Sequence, residues 1–228
     1  MLYVYALLDR PPARKLGRGI LDAPVRAVGK RAPFAIVSAI SGAPDPDAAR
    51  LRAHDRVVRR AAAGSAAILP ARFGCVVEHD EELLQLLLAR RSELSAALER
   101  VRDREQMILR FFQRVPRELP RPPVRGKGGA GTKYLERRLA AARRTRAVLK
   151  PVLAAVAGLV KSEHIELAYA GPGDGSPQLL ASVYHLVPRG AARAYAAAVT
   201  RGLRGSKGLR TWLSGPCPPY AFAAEQLP

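Results

Sequence analysis

Residues 165–188 read IELAYAGPGDGSPQLLASVYHLVP, and this stretch decides the fold. Two apolar runs, Ile165 to Ala170 and Leu179 to Pro188, flank the eight residues 171–178 (GPGDGSPQ), seven of them Gly, Pro, Asp or Ser. Branched and aromatic side chains suit a pleated surface, while glycine and proline supply turn geometry, so the stretch predicts a β-hairpin. Upstream, residues 132–163 carry Leu135, Leu139, Ala142, Leu149, Leu153, Val156 and Val160 at heptad-like spacing. That pattern predicts one long helix, kinked or restarted at Pro151. Glu105 to Arg114 reads as a strand before it; a helix over 191–203 and a strand over 209–214 follow the hairpin. The order β-α-β-β-α-β is that of a ferredoxin-like unit, and the fold class is α+β.

The first half is a different α+β unit. Leu2 to Leu8 (LYVYALL) predicts a strand, Val25 to Val28 a second, and Phe34 to Ser41 a third, covered on both faces. Asp47 is placed to cap a helix running to Ala63, with Leu51, His54, Val58 and Ala61 on one face. Ala66 to Val77 is strand-like but interrupted by Pro70 and Gly74, which predicts an edge or bulged strand. A continuous helix is expected from Asp80 to Val101, with Arg91 breaking its leucine stripe. The expected organisation is residues 1–102, then 103–215, then a proline-rich tail over 216–228 that docks on the protein surface.

Composition narrows the function classes. The chain has 228 residues, with 48% hydrophobic content, enough for real cores. Its longest uncharged apolar stretch, Pro151 to Val160, is half of the ~20 residues that a membrane span needs. Two cysteines make neither a disulfide scaffold nor a four-ligand zinc site. With Met1 running straight into a strand, no leader is expected, and the reading is a cytoplasmic protein. The net charge is +19, and residues 100–150 hold 16 basic against 4 acidic side chains, so an anionic partner would feel the field. Of the 38 basic residues 31 are arginine, the mark of a compositional bias in solvated helix faces.

Catalytic patterns are weak. Gly126 to Lys133 (GKGGAGTK) has the glycine spacing of a phosphate loop but ends Thr-Lys, the reverse of the order that places lysine on phosphate and hydroxyl on magnesium. His54, His79, His164 and His185 show no ligand spacing, and strand alternation explains His185. Cys75, flanked by apolar residues, reads as an inert buried thiol. No cofactor, metal or catalytic residue is expected. A nucleic-acid reading rests on the basic 100–150 region and on Phe111 and Phe112, of which only one can face outward on a strand.

Several segments together resemble the gas vesicle protein family GvpF/GvpL. They are Leu2-Tyr-Val-Tyr-Ala6, Ala35-Ile-Val-Ser38, and Leu51 with His54 ahead of Ile68-Leu-Pro70-Ala-Arg72-Phe73-Gly74. Further on come Gly131-x-x-Tyr134-Leu135 and the ending Gly215-Pro216-Cys-Pro-Pro219-Tyr220-Ala-Phe222. Cys217 stands where the family usually has tryptophan, Cys75 where threonine is common, and Gln106-Met107 where an acidic-Trp pair is frequent. The resemblance implies a minor, non-enzymatic gas vesicle component that binds the main shell protein, alongside other accessory proteins, and assists nucleation. It also implies two α+β domains and location at the gas vesicle. Among the motif positions, Gly74 is expected to give backbone room, Phe73 to fill core, and Arg72 to make an internal ion pair or cap a carbonyl.

Overall fold

The computed structural model describes residues 1–114, 129–168, 176–206 and 208–223, with backbone alone at 114, 130, 133, 134 and 137. It divides into two compact units, residues 1–106 with 216–228, and residues 107–215.

In the first unit, β1 (Leu2–Leu8) is buried along its whole length, as a run with no polar alternation must be. β2 (Val25–Val28) and β3 (Phe34–Ala39) form an antiparallel pair, and β3 pairs antiparallel with β1. The turn between them uses Gly29 at φ 143°, where a Cβ would also press on the Phe34 ring. α1 (Ala48–Ala63) starts at Asp47, whose carboxylate accepts the Arg50 N–H at 2.7 Å. It buries His54, Val57, Val58 and Ala61. β4 (Ile68–Pro70) and β5 (Val76–Val77) both pair with β1 on the side away from β3. They are two pieces of one interrupted edge partner, and the Ala71–Cys75 segment bulges between them. The bulge is pinned at each end: Ala71 N–H donates to the Tyr5 carbonyl at 2.8 Å, and Val4 N–H to the Cys75 carbonyl at 2.9 Å.

Two helices, α2 (Asp80–Ala89) and α3 (Arg91–Val101), stand where one was expected. The break is at Arg90, with φ −104° and ψ 16°. A continuous helix would carry its buried stripe, Leu83, Leu87, Leu94 and Leu98, across Arg90 and Arg91. The break releases both: Arg90 makes a two-pronged contact with Glu93, and Arg91 Nε donates to the Ala32 carbonyl. Leu51 is also corrected: it is 46% exposed, and Val57 takes the inward place expected of it.

The second unit begins within β6 (Arg104–Arg114) and continues with α4 (Ala130–Val156), β7 (Ser162–Leu167), β8 (Pro177–Pro188), α5 (Ala192–Gly202) and β9 (Leu209–Cys217). The element order is β-α-β-β-α-β, and the strands lie in the order β7-β8-β6-β9. Met107, Leu109 and Phe111 of β6 pack with Val183 and Val187 of β8 against Leu149, Val152 and Val156 of α4 and Tyr195 and Val199 of α5. α5 approaches α4 at Gly202, where a Cβ would come within 2.7 Å of the Val152 Cα.

α4 differs from the expected 132–163 helix at both ends. It ends at Val156, followed by a 3-10 turn over 157–159, and Glu163 lies in β7. The apolar run Leu-Val at 159–160 continued the helical spacing, but Ser162 to Leu167 is taken up by antiparallel pairing with β8. Pro151 sits inside α4, which continues through it. The stripe is core only in its second half, because Leu135 and Leu139 are 64% and 54% exposed. The glycine-rich residues 126–128, the loop 116–128 and most of the GPGDGSP turn lie outside the described residues.

Candidate functional site

The motif positions of the first unit converge on one aromatic nest. Tyr3 comes from β1, His54 from the inner face of α1, Phe73 from the bulge, and Tyr220 from a 3-10 turn over 220–222. Ring centroids of Tyr3 and His54 are 5.6 Å apart, those of His54 and Phe73 6.0 Å, and those of His54 and Tyr220 6.4 Å. The Tyr3–His54 and His54–Phe73 contacts are edge-on, which sets positive ring edges against negative faces, and the Tyr220 ring is tilted at 39°.

Hydrogen bonds fix the nest. Tyr3 Oη lies 2.8 Å from His54 Nδ1 and accepts the Gly74 N–H at 3.3 Å. In the neutral tautomer with its proton on Nε2, His54 accepts the Tyr3 proton at Nδ1, and the phenol is then used both as donor and as acceptor. Nε2 is buried and finds no partner of hydrogen-bond geometry among the described residues. Burial holds the His54 pKa down to about 4, with the Ala71 backbone pulling the other way. Burial likewise raises the phenols of Tyr3 and Tyr220 and lifts the Cys75 thiol to about 11. At neutral pH only about one Cys75 in ten thousand is a thiolate. Neither group is a base or nucleophile that a substrate reaches.

The bulge assigns its residues different tasks. Pro70 ends β4 on the sheet's edge path, opposite Ala6. Phe73 is half-buried against the nest. Gly74 has φ 91° and nothing within 4 Å of where a Cβ would sit, so conformation rather than room requires glycine. Arg72 departs from expectation: its side chain is exposed and makes no ion pair or hydrogen bond among the described residues. In the tail, Pro216 is exposed, Pro219 buried, and Phe222 half-buried. Ala221 N–H donates to Gln106 Oε1 at 2.8 Å, which ties the tail to the start of β6. Tyr134 and Leu135 lie in the first turns of α4, in the second unit, where Leu135 is exposed.

A second buried polar chain, in the second unit, was not anticipated. His185 is fully buried, with Nδ1 2.6 Å from Tyr195 Oη and Nε2 2.8 Å from Glu163 Oε2. Neutral His185 satisfies all three groups: Tyr195 donates to Nδ1, and Nε2–H donates to the carboxylate. Burial lowers the His185 pKa against the opposing pull of Glu163. Tyr195 is 0% exposed and the Glu163 side chain 41% exposed, so the chain ties β7, β8 and α5 together from the core to the surface. A histidine at an inward position of an apolar strand was the available signal; Glu163, read as helix, hid its partner. Of the paired phenylalanines, Phe111 is core and Phe112 is half-buried on the opposite face. Among the described residues, no three His, Cys, Asp or Glu side chains gather as a metal site, and no helix is long and apolar enough to cross a membrane.

Comparison with known proteins adds the following. The profile of the family described as gas vesicle synthesis protein GvpL/GvpF matches residues 1–224. Gas vesicle protein F of Streptomyces sp. (strain CB03234) is 29% identical over 234 residues, covering 96% of this chain and 98% of the relative. The crystal structure of GvpF from Anabaena sp. PCC7120 superposes with a TM-score of 0.77 at 18% identity, over 97% of this chain and 95% of that one. GvpF from Microcystis aeruginosa gives 0.76 at 18% identity, over 97% and 98%. These two structures share the fold.

Proposed function

The chain belongs to the gas vesicle synthesis protein GvpL/GvpF family, which gives it an accessory role in gas vesicles, and from that premise we propose that it binds the main shell protein and assists nucleation of the shell. A shell subunit is aggregation-prone until assembled, and a folded partner that covers its apolar face or strand edge lowers that hazard. The role needs no active site, cofactor or metal.

The observation that supports this reading most directly is Arg72. Its neighbours in the motif are spent internally, Phe73 on the nest and Gly74 on the bulge, while the exposed Arg72 side chain has no partner among the described residues. A planar five-donor group on a pinned bulge is suited to a carboxylate or to backbone carbonyls of a partner. The test is shell-protein binding and nonspecific duplex-DNA binding, titrated side by side against salt. Binding through apolar and backbone contacts persists with added salt, whereas contacts to several phosphates lose orders of magnitude between roughly 50 and 200 mM. Arg72→Ala is expected to weaken shell-protein binding without changing stability. Salt-resistant DNA binding with no shell-protein binding would transfer the function to nucleic acid.

A further inference from the structure

We infer that the first unit carries a docking cleft for an acidic, amphipathic peptide segment of a partner protein. The cleft, about 430 Å³, lies between the β2–β3 turn and α2. That volume falls within the roughly 300–1,000 Å³ typical of ligand clefts.

Its floor is aliphatic. Pro33 and Leu87 are buried and Leu84 is half-buried, while Leu88, one helical turn beyond Leu84, is 65% exposed. Leu83 and Leu87 already anchor α2, so Leu84 and Leu88 form a second ridge at i, i+4 that the described residues leave partly uncovered. Its rim is cationic on both sides. Lys30 and Arg31 stand exposed on the turn and have no partner among the described residues. Arg91 stands on the helical wall; its Nε is used on the Ala32 carbonyl, and among the described residues no ion pair occupies the rest of its guanidinium.

Among the described residues, no carboxylate lines the cleft. Of the acids near it along the chain, Asp80 pairs with Arg26, Glu93 pairs with Arg90 and Glu82 accepts the Glu78 N–H, while Glu81 stands exposed beside His79. The rim therefore carries uncompensated positive charge around a surface that gains from being covered. Complementarity calls for an apolar ridge with carboxylates on both flanks, which an amphipathic helix provides. A fatty-acid chain bears its charge at one end only. Nucleic acid would find no aromatic side chain here on which to stack a base. This inference stands apart from the shell-protein reading and names only the chemistry of the segment.

The test uses the full chain and three probes: a labelled 14-residue helical peptide with a leucine ridge flanked by glutamates, the same peptide with lysines for glutamates, and dodecanoate. Fluorescence anisotropy at 150 mM salt is expected to show the glutamate peptide binding at least tenfold tighter than the lysine peptide. Arg31→Glu with Arg91→Glu should lose at least tenfold for the glutamate peptide and gain for the lysine one. Leu88→Ser should lose about fivefold, and hydrogen exchange at residues 84–91 should slow on binding. Arg143→Glu with Arg144→Glu, an equal charge change on α4, should stay within twofold of the parent. If the double reversal at the cleft fails to fold, Arg31→Glu and Leu88→Ser, both exposed, decide the matter. Equal losses from the α4 reversal, unaffected binding in the cleft variants, absence of peptide binding, or binding of dodecanoate alone would each overturn the assignment.

Discussion

Tyr3 and His54, 51 residues apart in sequence, share a buried hydrogen bond of 2.8 Å in the aromatic nest, where burial keeps the histidine neutral. Its pKa of about 4 when folded compares with about 6.5 when unfolded. Between those values the unfolded chain takes up a proton that the folded chain refuses. Stability is therefore insensitive to this group above pH 7 and falls by about 1.4 kcal/mol per pH unit as pH drops from 6.5 towards 4. His185, also lowered by burial, acts in the same direction. Urea unfolding at pH 7 and pH 5 should show a loss of about 2 kcal/mol from His54, absent in His54→Gln. Equal pH slopes in the two proteins would refute the assignment.

Three glycines should respond differently to alanine. Gly74→Ala meets no neighbour but must adopt φ 91°, and is expected to cost about 1–2 kcal/mol. Gly202→Ala has ordinary φ but drives a Cβ into the α4 backbone, and is expected to cost about 1–3 kcal/mol by overpacking. Gly158→Ala meets nothing within 4 Å and should be neutral or slightly stabilising. Denaturant midpoints at constant m-value check the order; Gly202→Ala as mild as Gly158→Ala would mean that α5 shifts freely.

Local signals in the sequence were read correctly where one residue's chemistry sufficed. The Asp47 cap, the apolar strand at Leu2 to Leu8 and the bulge implied by Pro70 and Gly74 are of this kind. The helical spacing failed where tertiary context overrode it. Leu135 and Leu139 continue a stripe whose core exists only from Leu149 onward, and Glu163 belongs to a strand because β8 is there to pair with it. The nest was legible only in fragments. Phe73 and Gly74 stand out as a motif, but nothing local joins residues 3, 54, 73 and 220, because their meeting depends on sheet order and on the course of the tail.

Tyr195→Phe deletes the donor to His185 Nδ1 and leaves a buried nitrogen unsatisfied. The expected cost is about 1–3 kcal/mol. Chemical denaturation at pH 7 measures it. A cost near zero would mean that Glu163 alone holds the imidazole in place.

Asp9 gathers the ends of three segments: it accepts from Arg102 at 2.7 Å, from Ser65 at 2.9 Å and from the Ala67 N–H at 3.4 Å. Burial acts to raise its carboxyl, but these partners outweigh it and hold the group below its ordinary value. Asp9→Ala should cost about 1–3 kcal/mol, whereas Arg10→Ala, which removes a 3.9 Å contact from a 60% exposed side chain, should stay within about 0.5 kcal/mol. Matching losses would show that the ring of partners around Asp9 contributes nothing beyond surface charge.

The first unit is discontinuous: its sheet and helices come from residues 1–106, while Tyr220 and the residues that meet Gln106 come from 216–228. On the ribosome, roughly a hundred residues separate the two contributions, about 5–20 s of synthesis at 5–20 residues per second. Throughout that interval the His54 side of the nest and the Gln106 amide wait without their last partners. The emerging chain thus passes through a timed, unfinished state, and the rate of elongation sets how long a chaperone or a vesicle protein has to find it.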